Sequence, residues 1–70
     1  MSTNLAEIPL YELITDRAES LADIRICKVA LAANITHHRD GTPVEERIRI
    51  NEQIIAIIDG ELARRKEEIS

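Results

Sequence analysis

Few residues in this chain could do chemistry. His37 and His38 with the lone Cys27 invite a metal reading. Adjacent residues on a helix point about 100° apart, so the two histidines do not easily chelate one ion. On a helix running to His38, Cys27 would lie roughly 16 Å away along the axis. One chain would then not bring both to one ion. The expectation is no metal and no cofactor, with helix-end histidines meeting free carbonyls and Cys27 packed as a small apolar group. Glu45-Glu46 and Glu67-Glu68 are neighbours in sequence and make no acid/base pair across a cleft. No enzyme is expected. Arg47, Arg49, Arg64, Arg65 and Lys66 read as a solvated face, a local anion pocket or a contact with an acidic partner. Tyr11 and Lys28 stand apart from the rest. Tyr11 is the single aromatic residue and alone can stack on a planar base. Lys28 interrupts the most apolar stretch, so it must reach solvent, an acid or an anion.

The elements that would carry these residues are helices. Ile8-Pro9 is a start signal, and Leu10, Leu13 and Ile14 give one apolar face over a short helix, 9–14. Thr15-Asp16 is the expected break, with Asp16 and Glu19 forming a capping box; one unbroken helix is the rival. A second helix is expected over 17–38. Ile24, Cys27, Leu31 and Ile35 lie along one of its sides, Ala22, Ile26 and Val29 on others. The stretch Asn34 to Arg47 reads as the hinge of a hairpin. Gly41 would end the helix in the left-handed conformation. Thr42 would cap the next helix, with Pro43 at its first position and Glu45 reaching back. The third helix is expected over 43–69. Ile48, Ile55, Leu62 and Ile69 fall seven apart, a coiled-coil-like ridge, while Glu52, Gln53, Asp59 and Glu61 supply the polar side.

Seventy residues bound this to one small domain, 1–70. Twelve Ile, six Leu and eight Ala with no Phe or Trp make the core aliphatic. Two helices of this composition have more apolar surface than one hairpin can hide, which points to a homo-oligomer. A net charge of -4 argues against long nucleic acid. One cysteine suits a reducing cytoplasm. No stretch approaches the ~20 apolar residues of a membrane span.

A short N-terminal helix bearing a tyrosine, followed by two long antiparallel helices with a lysine on the first, resembles the phage anti-CBASS sponge proteins. That resemblance implies a compact oligomer, hexameric in the family pattern, that sequesters cyclic di- or trinucleotide messengers in the host cytoplasm. It implies pockets between protomers in which Tyr11 stacks on a base and Lys28 pairs with phosphate. At a two-fold interface each copy would supply one of each. Arg64 and Arg65 are the loose match to a further anion-binding region. The expected protein is therefore all-α: a short helix and a long hairpin, oligomerised and non-enzymatic. One alternative is a protein-binding inhibitor or adaptor that docks a partner helix. Another is an RNA-binding hairpin dimer of the Rop kind, which the acidic balance disfavours.

Overall fold

The computed structural model describes residues 4–69. Among them the regular structure is helical: a 3-10 turn at Leu5–Glu7, then α1 at Leu10–Ala32 and α2 at Val44–Ile69. The two helices pack as an antiparallel hairpin, a single layer about 16 Å thick in its shortest dimension.

The expected break at Thr15-Asp16 does not occur, and helices 9–14 and 17–38 are replaced by one 23-residue helix. No Gly or Pro interrupts this stretch. Thr15 Oγ1 donates to the Tyr11 carbonyl at 2.8 Å, so the hydroxyl is satisfied inside the helix instead of capping a new one. Asp16 lies mid-helix and exposed.

The helix also ends earlier than expected. Asn34 adopts φ +64°, and the chain leaves α1 there. The Asn34 amide donates to Leu31 O at 2.9 Å and the Ile35 amide to Ala30 O at 2.8 Å. This is the paired closure that a left-handed residue permits, here by Asn instead of Gly. Gly41 does take positive φ, +91°, but within a separate turn closed by its own amide on His38 O at 2.9 Å. An isolated bridge joins His37 to Pro43. Val44 N donates to Thr36 O and His38 N to Thr42 O, each at 2.9 Å. Thr42 is not the expected cap. Pro43 precedes the helix and its carbonyl accepts from Arg47 N. Asp40 Oδ1 instead accepts from the Thr42 amide at 2.9 Å, which holds that carboxyl below its usual range.

The seam follows steps of three, four and seven, which keep to one face of a helix. Leu13, Ser20, Ile24 and Cys27 are buried on α1, and Val44, Asn51, Ile58 and Glu61 on α2. Ile48, Ile55 and Leu62 of the expected ridge are half-buried beside them. Ile69, its fourth member, is 89% exposed. Glu61, expected on the polar side, is only 7% exposed. Its carboxylate accepts from Arg64 and Arg65 at 2.6–2.9 Å. Arg65 also donates to the carbonyls of Leu5 and Ile8, at 2.8 and 2.6 Å. A buried carboxylate is tolerable because two guanidiniums pair it. The result is a clasp that ties the N-terminal turn to the end of α2. The hairpin thus has only five buried apolar residues among those described.

Candidate functional site

Tyr11 is the second residue of α1 and is 74% exposed. Lys28 is near the other end of the same helix, also exposed. Seventeen residues of helix separate them, about 25 Å along the axis. One protomer does not bring them together. What they share is a stripe: Tyr11, Ile14, Ala18, Leu21, Arg25 and Lys28 step along α1 by three and four, and all six are exposed. That spacing keeps one face along a helix. It faces away from the side buried against α2. Arg25 was not singled out by the sequence reading; its place in the 3–4 alternation with Lys28 was the available signal.

Apart from Lys66, the lysines and arginines divide into two groups. Arg17 is bound to Asp59 and Arg47 to Asp23, at 2.6 and 2.7 Å. Arg64 is bound to Glu61 and Glu68 and Arg65 to Glu61. The expected anion-binding pair Arg64 and Arg65 therefore serves the clasp. Bonding to Arg64, then Arg65, holds the Glu61 carboxyl down at about 2. Arg25, Lys28, Arg39 and Arg49 have no carboxylate partner among the described residues. Two of these four belong to the outer stripe.

Cys27 and His38 are closer than a continuous helix would allow. Because α1 stops at Ala32 and the chain doubles back, Cys27 Sγ comes to 4.0 Å from His38 Nε2. The expectation that one chain keeps them apart is thus corrected. The thiol is fully buried, and its pKa is pushed up by burial and then by Asp23. That environment opposes a thiolate nucleophile. No group of three or more His, Cys, Asp or Glu suited to a metal occurs among the described residues.

Beside the seam, opposite the outer stripe, runs an open groove of about 680 Å3. Ile54 and Ile57 form its α2 wall, Asp16, Glu19 and Asp23 its α1 wall, and Leu5 and Ile8 lie at its end. Asp23 is held below its usual range by Arg47, which bonds it, with Asn51 adding a second donor. No helix among the described residues is long and apolar enough to cross a membrane. No protein-family model, curated protein or solved structure matches this chain.

Proposed function

We propose that this is a non-enzymatic, phage-type immune-evasion protein. It assembles as a homo-oligomer in the host cytoplasm and sequesters cyclic nucleotide messengers at pockets between protomers. The observation that carries this reading is the exposed stripe on α1. It presents the chain's single aromatic ring at one end and two cations without carboxylate partners at the other. A cyclic dinucleotide offers flat bases and two phosphates, the chemistries that Tyr11, Arg25 and Lys28 can meet. Because Tyr11 and Lys28 of one chain are too far apart for one small ligand, the reading requires a second protomer. The exposed Leu and Ile residues supply a reason for one to bind, since a hairpin with five buried apolar residues leaves much of its apolar surface wet.

Calorimetry and native mass spectrometry against cyclic di- and trinucleotides test the reading. Tyr11→Ala should weaken binding by about 1–3 kcal/mol, the value of a base–aromatic stack. Lys28→Ala should weaken it through loss of a charge-assisted contact, and both variants should keep full helicity. Silence of the unmodified protein across the panel overturns the proposal.

A protein-binding adaptor is the second reading, favoured by the groove. Ile54 and Ile57 facing Asp16 and Glu19 suit an amphipathic helix with a basic edge. A model peptide of that design should bind and Ile57→Asp should abolish it. No binding would leave the groove without that role.

A further inference from the structure

We propose that the groove beside the seam binds a linear aliphatic polyamine, its ammonium groups along Asp16 and Glu19 and its methylene chain against Ile54 and Ile57. This site rests on neither reading above, and it competes with the second for the same groove.

Ser20 is the key residue. It is only 7% exposed and lines the groove. Its hydroxyl has no hydrogen-bond partner among the described residues, whereas Thr15 of the same helix satisfies its own on a backbone carbonyl. Among the described residues no fully enclosed side-chain oxygen lacks a partner, so the Ser20 hydroxyl opens into the groove. An unpaired hydroxyl on so buried a residue calls for a partner from outside the chain.

The polar groups around it are acceptors. Asp16, one turn earlier, and Glu19, its neighbour in the chain, line the same groove. Glu12 continues their edge by a step of four. None of these three carboxylates has a cationic partner among the described residues. From Glu12 to Glu19 the unpaired charge runs for about 10 Å along the helix. Asp23, next on this edge, is already bonded to Arg47 and Asn51, which ends the row. A ligand that suits it brings positive charge and N–H donors.

The facing wall decides the body of that ligand. Ile54 and Ile57 form it, and a hydrated metal ion would gain nothing from them. A quaternary ammonium has no N–H for Ser20 and favours an aromatic cage, but the single aromatic ring, Tyr11, is not among the groove residues. A primary ammonium carries three donors on a flexible apolar stem. Repeated along a chain, it matches a row of carboxylates on one side and isoleucines on the other. The volume of about 680 Å3 is that of a small-molecule site. The net charge of -4 favours the approach of a polycation.

Spermidine titrated into the unmodified protein, followed by calorimetry and amide NMR, tests the site. One molecule should bind per chain. The amides that move should be those around Asp16, Ser20, Ile54 and Ile57, while those of Tyr11 and Lys28 stay in place. Ser20→Ala, with helicity checked by circular dichroism, should weaken binding about tenfold, the worth of one charge-assisted hydrogen bond. Asp16→Asn combined with Glu19→Gln should weaken it further. Glu45→Gln combined with Glu52→Gln removes the same charge away from the groove and should leave the affinity within about twofold, since distant exposed charges are screened. No binding overturns the proposal, as do shifts centred on the outer stripe; this map needs no variant to fold. An equal loss in the two double variants also overturns it, and so does displacement of spermidine by magnesium at matched ionic strength, because either means a diffuse counterion. If a lysine-edged helical peptide moves the groove amides and spermidine does not, the adaptor reading stands and the polyamine site falls.

Discussion

Ile57 and Ile58 are chemically identical neighbours that the fold treats differently, and truncating each in turn gives the most direct test of the seam. Ile58 is 4% exposed and Ile57 is 55% exposed. Replacing Ile58 by Ala removes three buried carbons and leaves a cavity facing α1, where an Ile→Ala change costs about 2–5 kcal/mol. A chain of this length has roughly 3.5–10 kcal/mol of stability in all. Ile58→Ala should therefore lower the thermal midpoint by about 10–30 °C or prevent folding. Ile57→Ala deletes the same atoms where the hairpin scarcely encloses them. Its cost to the hairpin should stay within about 1 kcal/mol. Any larger loss should depend on protein concentration, because only an assembled partner could bury Ile57. Thermal melts by circular dichroism over a hundredfold range of concentration separate the two effects. If Ile58→Ala melts with the unmodified protein, or if Ile57→Ala is the more damaging at every concentration, the seam assigned here is wrong.

Other outcomes follow from the hinge, the clasp and the thiol. Gly41→Ala should cost about 1–2 kcal/mol in denaturant titration, since Cβ meets no neighbour and only the backbone at φ +91° resists it. Thr42→Ala should cost less than about 0.5 kcal/mol, because the Thr42 side chain caps nothing; a loss above about 1 kcal/mol would restore it as the helix cap. The Glu61 carboxyl is depressed to about 2 by its two arginines. It binds protons less readily folded than unfolded, so its stabilisation is full above its ordinary pKa of 4.5 and drains as pH falls towards 2. Melts of Glu61→Gln against pH should show a shallower acid limb than the unmodified protein; identical limbs would remove the clasp as the cause. Cys27 should react with iodoacetamide only as fast as the hairpin opens, and stoichiometric labelling within seconds in native buffer would contradict its burial.

Much of the architecture was legible in the residues themselves. Aliphatic content, scarce Gly and Pro, and sevenfold spacing at Ile48, Ile55 and Leu62 specify two helices packed through a seam, because helical periodicity is local and repeats along the chain. The turn between the helices was legible in place but not in form. Asn34 and Gly41 both accept positive φ, and local propensity favoured Gly41 as the helix stop. The amides of Asn34 and Ile35 found carbonyls within α1 and settled the matter earlier, and that early stop is what brings His38 to Cys27. The polar residues were the least legible. Glu61 and Arg65 have the composition of a solvated face, and the same letters serve equally for a buried pair. Arg64 and Arg65 pair the carboxylate from its own helix, and only the fold back of residues 5–8 onto α2 supplies the carbonyls that hold Arg65 in place. The outer stripe lies between these cases. Its spacing is written in the sequence, but that Tyr11, Leu21 and Lys28 stay exposed is decided by which face of α1 the other helix takes. That choice depends on the summed burial of two helices at once, which no single segment encodes.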